Sequence, residues 1–408
     1  MPDEGSHVQV RLQLHLSAGG ARAEHVHLGA NPLGLLNPAK SARAAALGMD
    51  VAASVVSPER LEAGVAALHA QTVFSVARWH PASLALGDAG AAAVCAVLDQ
   101  RSPAAGWDRV GHQFLSNAVA SLSDPQVLLS LFSGICGAAS AVWMLSRGGR
   151  RYRGLRARLD SRVLPLIHES EFEFDAIHGM SGWVAYLTFR DAEPECAAAL
   201  RTAATALATQ TRDSSADAGL AHGLAGPLAA LALARSRSDV ELPVVDAAIH
   251  RIADRLSATA RVDDVSLAWC SGAPGVARAL WLAGEALDDD RYRGKGIDLA
   301  IASLRPPIDD STYPTPTFCH GIAGHLLATS LFWWDTAHPA FRDGAQHLCD
   351  LLLARHAPDT LFGYQDWEQG GSPVDNPGLL CGAAGVALVL LALAADRPPA
   401  WSRLFLLA

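Results

Sequence analysis

The sequence predicts an all-α protein, an α/α toroid with seven inner helices ringed by seven outer ones, and a small β-hairpin at the N-terminal end. Three observations predict it. A Gly-x-x-Gly element recurs with first glycines Gly87, Gly134, Gly179, Gly223, Gly272, Gly321 and Gly382, at intervals of 47, 45, 44, 49, 49 and 61 residues. Self-similarity at so regular a period is the signature of a repeat architecture. Each copy runs into a small or apolar stretch, and an amphipathic segment separates it from the next. Half of the residues are hydrophobic, 18% charged and 6% aromatic, an Ala- and Leu-rich balance that favours helix over sheet.

The first thirty residues stand apart from the repeats. Val8, Val10, Leu12, Leu14 and Leu16 alternate with Gln9, Arg11, Gln13 and His15, a strand pattern, and Gly19-Gly20 leads to Glu24–Leu28. Residues 1–40 are therefore expected to be an appendage and 41–408 the helical body. A lone hairpin is marginally stable, so it must lie on that body or pair with something else.

From about Ser41 the period becomes helical. Gly87-Asp-Ala-Gly90 is the weakest copy of the repeat, but its spacing fits. Val276–Ala283 represents the inner helices, apolar nearly all round. Val245, Ile249, Ile252 and Leu256 share one face of an outer helix, with Asp246, Arg251, Asp254 and Arg255 elsewhere. Phe341, Ala345, Leu348 and Leu352 repeat that spacing. The glycines are expected at the inner-helix starts, where small residues let neighbouring backbones approach. Closure into a ring is favoured over an open solenoid, because an exposed concave surface would not tolerate such apolar inner segments. The uncharged stretch 378–395 just reaches the length of a bilayer span, but the same Gly-x-x-Gly occurs in segments too short or polar to span, so a buried helix is expected.

Composition excludes some functions. A net charge of -9 offers no basic excess to neutralise phosphates, so a nucleic-acid partner is not expected. Met1–His7 lacks the basic and apolar regions of a secretory signal. Seven cysteines in a long chain of this kind read as reduced thiols in the cytoplasm. Peripheral attachment to the inner membrane is left open.

In a closed toroid the inner-helix starts converge, which gathers Leu86, Ser133, His178, His222, Ser271, His320 and Cys381, with Cys270 and Cys319 one place earlier. Cys270, Cys319 and His320 form a donor set suited to one Zn(II). Three protein ligands leave the fourth position open, as at catalytic zinc sites. The alternative is two structural cysteines beside a core histidine. His222, in the frame of His320 but without a cysteine neighbour, could move protons at neutral pH. Asp175 could orient His222, or act as a base, or merely cap a helix. His178 is similarly placed.

The motifs Asp175-Ala-Ile-His178-Gly-Met-Ser-Gly182, Ala221-His222-Gly223, Trp269-Cys270-x-Gly272-x-Pro274-Gly275, Cys319-His320-Gly321 and Leu380-Cys381-Gly382 resemble those of lanthionine synthetase C-like proteins, the lanthipeptide cyclases, over about residues 85–395. The resemblance implies an α/α toroid, zinc held by Cys270, Cys319 and His320, and catalytic roles for His222 and Asp175. It implies that a dehydrated precursor peptide presents a cysteine thiol, which adds to dehydroalanine or dehydrobutyrine and closes a thioether ring. A dehydratase and an exporter are the implied companions.

Two departures from the family pattern are visible. The position often held by Tyr is Ser271, so the contribution of that ring is absent. The even 44- to 49-residue intervals leave no room for a domain inserted between the middle repeats. Competing readings are a relative that adds glutathione to dehydroamino acids in damaged proteins, and a non-catalytic zinc-stabilised helical scaffold. A helical-toroid glycosidase would need paired carboxylates at the repeat starts, which offer thiols and imidazoles instead. The hairpin edge could bind an extended leader peptide by strand addition, or be a strand that ties down the fold. Deleting residues 1–30 and titrating the leader peptide separates the two: the first role requires weaker binding, and unchanged affinity would eliminate it.

Overall fold

The structure is a computed structural model that describes residues 34–74, 77–124, 127–169, 173–190, 194–213, 217–237, 242–260, 266–305, 308–309, 311–368 and 372–408. The expected N-terminal hairpin over residues 8–28 lies outside the described residues. Seven inner helices follow the seven glycine elements: α3 (Asp88–Arg101), α5 (Ile135–Leu145), α7 (Met180–Phe189), α9 (Ala225–Arg237), α11 (Ala273–Leu287), α13 (Ile322–Thr336) and α15 (Ala383–Ala395). Six outer helices alternate with them: α4 (Trp107–Ser121), α6 (Arg153–Glu169), α8 (Pro194–Gln210), α10 (Pro243–Thr259), α12 (Asp290–Ser303) and α14 (Pro339–Ala354). The seventh, α1 (Pro38–Val55), comes from the start of the described chain and packs on α15, while α15 also meets α3. The ring is thereby closed, and the fold is an α/α toroid. A further helix, α2 (Pro58–Gln71), follows α1.

Inner and outer helices begin by different devices. Asn37 caps α1 by accepting from Lys40 N at 2.9 Å, and Asp289 caps α12 through Arg291 N at 2.9 Å. Pro38, Pro243 and Pro339 open α1, α10 and α14 with a fixed φ. Inner helices have no side-chain cap of this kind. Instead the residue after the first glycine donates to the carbonyl six residues before that glycine. This holds for Ile135 to Leu128, Met180 to Glu173, Leu224 to Asp217, Ala273 to Ser266, Ile322 to Thr315 and Ala383 to Asn376, at 2.8–3.3 Å.

The entering loop therefore doubles back beneath each helix start. A Cβ at Gly272 would strike the Ser266 carbonyl, and one at Gly321 the Thr315 carbonyl. These first glycines accommodate their own loop rather than a neighbouring backbone, which corrects the sequence expectation. The second glycines face both: a Cβ at Gly324 would strike the Phe318 carbonyl of its own loop and lie 2.9 Å from Trp269 Cβ of the neighbouring repeat, and one at Gly275 would strike the Trp269 carbonyl and lie 2.9 Å from Leu220 Cβ.

Burial follows the predicted faces. Val245, Ile249, Ile252 and Leu256 are buried, as are Phe341, Ala345, Leu348 and Leu352. α15 is buried from Ala383 to Leu393. Its 13 residues span only about 20 Å at 1.5 Å each, short of a bilayer core, and no described helix is long and apolar enough to cross a membrane. The long last interval holds the only strands among the described residues, β1 (Asp366–Trp367) antiparallel to β2 (Pro373–Val374).

The space inside the ring is filled by the chain's own last residues. A 3₁₀ segment, Ala400–Phe405, carries Phe405 into contact with Phe318, Phe132, Trp401 and Trp269 at centroid distances of 4.3, 5.7, 5.6 and 5.9 Å. Trp269 Nε1 donates to the Phe405 carbonyl at 3.0 Å, and buried Arg278 donates to the Leu407 carbonyl and Asp335. Trp269 and Phe318 immediately precede Cys270 and Cys319, so this plug supports both cysteine loops from beneath. Phe405→Ala is expected to cost about 3–5 kcal/mol as a core cavity, read as a lowered midpoint in thermal or urea unfolding.

Candidate metal centre

The seven loops that enter the inner helices are bonded to one another in a circle. Ala85 N donates to Phe132 O, Ala176 N to Ala221 O, Ala221 N to Cys270 O, Cys270 N to Cys319 O, Cys319 N to Leu380 O and Leu379 N to Ala85 O, at 2.7–3.3 Å. Ser130 Oγ to Ile177 O, at 2.7 Å, makes the remaining junction. Residues two places before each first glycine thus line one rim in register. Cys270 and Cys319 hold this position in adjacent repeats, and His320 follows Cys319.

This register brings Cys270, Cys319 and His320 together, with one donor atom from each lying within 4.8 Å of the others. Cys270 Sγ is 3.1 Å from His320 Nδ1. Cys319 is buried, Cys270 half-buried and His320 exposed, so the cluster is walled on one side and open on the other. Two soft sulfurs and an imidazole at this spacing could hold a single Zn(II) with a position to spare. Ser271 Oγ lies 3.8 Å from Cys270 Sγ and 3.4 Å from Ser266 Oγ, so a hydroxyl flanks the cysteine on this side.

Charge is strongly redistributed in the cluster without metal. Cys270 is pushed down to about 4, chiefly by the hydrogen bond from Cys319 and then by His320, against the opposing effect of burial. Cys319 is pushed up, chiefly because it keeps its proton to donate to Cys270 and then Cys381, and further by burial. His320 is raised to about 11 by Cys270 and then Cys381. Cys270 thus favours the thiolate and His320 the imidazolium at neutral pH, and Cys381 is also pushed down, to about 6, chiefly by Cys319.

His222 and Asp175 also meet. His222 Nδ1 is 3.4 Å from Asp175 Oδ2, and His222 is solvent-facing while Asp175 is buried. Asp175 Oδ1 accepts from His178 N at 2.6 Å and Gly179 N at 3.1 Å. One carboxylate thus caps its own loop and contacts His222. The link from Ala221 to Cys270 sets the His222 loop directly beside the cysteine loops. His178 Nδ1 faces Ser133 Oγ at 3.3 Å and is outside the three-residue cluster.

Two further groups border the cluster. Cys381, raised in the sequence as a repeat-start residue and within a family motif but given no role, is in hydrogen-bonding contact with Cys319 and His320. Asp366, on β1, is buried and accepts from Thr315 Oγ1 at 2.9 Å. Burial, and then the charge of Cys381, raise its carboxyl to about 7. Asp366 carries no sequence signal, since it belongs to the one loop that breaks the repeat; Cys381 did, through its position before Gly382.

Comparison with known proteins agrees with this architecture. The family model described as lanthionine synthetase C-like protein matches residues 78–406. The solved structure of nisin cyclase aligns with a TM-score of 0.66, at 20% sequence identity, over 80% of this chain and 92% of that one; at this identity the likeness is one of fold. Comparison with curated proteins returns no match.

Because a metal must displace the proton on His320 and the proton on Cys319, its binding should release protons and tighten as pH rises through the neutral range. Calorimetric zinc titrations in buffers of different ionisation enthalpy should show about two protons released per ion near pH 7, with Cys270 contributing none.

Proposed function

The chain belongs to the lanthionine synthetase C-like family, and on that premise we propose that it is a zinc-dependent lanthipeptide cyclase. Its substrate is a precursor peptide already carrying dehydroalanine or dehydrobutyrine, and its product contains lanthionine or methyllanthionine rings. The observation that carries this reading is the convergence of Cys270, Cys319 and His320 on one rim, with an open side. Zinc held there would supply an open position at which a peptide thiol loses its proton at neutral pH. Two anionic cysteine donors would lower the net charge at the site, which keeps a neighbouring thiolate nucleophilic.

The remaining work falls to the chain's own residues. Asp175 is fixed by two backbone N–H groups and holds His222 at Nδ1, which sets the ring's tautomer and leaves its other nitrogen available. His222 is the group assigned to protonate the α-carbon of the enolate after thiol addition. An apolar rim suits a peptide. Of the five large hydrophobics left exposed among the described residues, Val73, Phe74, Leu128 and Trp367 lie on loops that enter inner helices. Action in the cytoplasm, after a separate dehydratase and before an exporter, completes the reading, with the residues ahead of the α1 segment, rather than the whole of 1–40, as the leader-binding appendage.

Reconstitution with a dehydrated peptide tests it, since ring closure leaves mass unchanged but removes thiols available to an alkylating agent. His222→Ala is expected to lower kcat by about 100- to 10,000-fold while retaining zinc, and Cys270→Ala to lose zinc and activity together. A scaffold would keep its function in His222→Ala. A glutathione-adding relative would instead produce a glutathione adduct. A wild-type protein without stoichiometric zinc would sink the proposal.

A further inference from the structure

Three thiols, not two, face this centre, and the repeat register explains the third. Cys270 stands two places before its first glycine, and across the junction it meets His320, one place before the next, at 3.1 Å. One repeat further on, those positions are Cys319 and Cys381. The junction is built the same way, with Cys319 N donating to Leu380 O at 2.8 Å as Cys270 N donates to Cys319 O. The geometry that presents His320 to Cys270 therefore presents Cys381 to Cys319. Residues one place before adjacent glycines also meet each other elsewhere on the rim, as Ser133 and His178 do at 3.3 Å. By the same rule Cys381 should touch His320. Both contacts are present.

We propose that Cys381 is a fourth donor to the metal held by Cys270, Cys319 and His320, closing the coordination sphere until a substrate thiol displaces it. This rests on the zinc reading above. Cys381 already touches two of the three other donors, although it stands outside the set whose atoms all lie within 4.8 Å of one another. Its side chain turns about a single χ1 bond between staggered wells, and rotation about that bond is the motion the proposal requires. A three-cysteine, one-histidine set is a closed, tetrahedral arrangement of the kind that shields a metal. Displacement balances simply: the incoming thiol gives up its proton to solvent and binds as a thiolate, and Cys381 leaves as a thiolate. The resting site would thus resist loss of metal and adventitious thiols without losing its reactive position.

Cobalt substitution reads the number of sulfur donors directly, because sulfur-to-cobalt charge-transfer absorption grows with each thiolate bound. Co(II)-loaded wild-type protein is expected to show the intensity of three thiolates. Cys381→Ser and Cys381→Ala should each bind one Co(II) and fall to about two-thirds of that intensity, two thiolates remaining of three. Adding 2-mercaptoethanol should restore the intensity in both variants. Both should also surrender zinc to a chelator faster than wild type. Equal spectra and equal chelation rates in wild type and the two variants would overturn the proposal. Failure of wild type to bind Co(II) or zinc at all would instead overturn the zinc reading on which it depends.

Discussion

The rest of the structure depends on a backbone hydrogen bond made beneath six of the seven inner helices, from the residue after the first glycine to the carbonyl six residues before that glycine, with Ala89 to the Pro81 carbonyl as its counterpart at α3. That bond satisfies a helix-start N–H group that would otherwise be orphaned. It also folds the entering loop into a fixed shape, and the fixed shape leaves no room for a Cβ at the glycine. Repeated around the ring, it presents equivalent residues at equivalent heights. The loops can then bond to one another in a closed circle, Ala85 receiving from Leu379 as the last repeat returns to the first. Closure follows from register as much as from hydrophobicity.

The same register decides where the soft donors meet. Residues 49 positions apart in sequence share a site because consecutive repeats are consecutive on the rim. Beneath them, Phe405 packs against Trp269 and Phe318, each adjacent in sequence to a cysteine. The buried side of the cluster is therefore rigid and apolar, and access is left only from the rim. Burial on that side opposes charge, while the pairing of Cys270 with Cys319 and His320 favours it; the pairing prevails at Cys270. Opposite charges a few ångströms apart in a poorly solvated place stabilise one another more than water would stabilise either alone.

Asp175 illustrates how one side chain serves loop and site. One oxygen closes its own loop through His178 N and Gly179 N, and the other faces His222 in the next repeat. His325, one helix turn past His320, shows the contrasting case. It is buried between Tyr313 and Ser303, and burial lowers it to about 3, so it stays neutral and structural. Two histidines five residues apart thus differ in role because one points to the rim and the other into the helix layer.

Much of this was legible in the sequence, because it is local and periodic. The glycine period, the 4-3-4 spacing of Val245 to Leu256, and the apolar inner runs determined the toroid and its helix faces without reference to long-range contacts. Register then made the neighbourhood of Cys270, Cys319 and His320 a matter of counting. What only the tertiary structure decided lies where the period fails or where a contact spans the ring. Asp366 sits in the one loop longer than the rest, and nothing in that loop's composition marks it as buried against Thr315 within reach of the charges of Cys381 and His320. Phe405 follows the last repeat, so only the folded ring reveals the central space it fills. The glycines were placed by the sequence at the helix starts, but whether they yield to a neighbour or to their own loop depends on where a carbonyl six residues back comes to lie. Periodicity encodes which residues are equivalent; only packing determines what each of them touches.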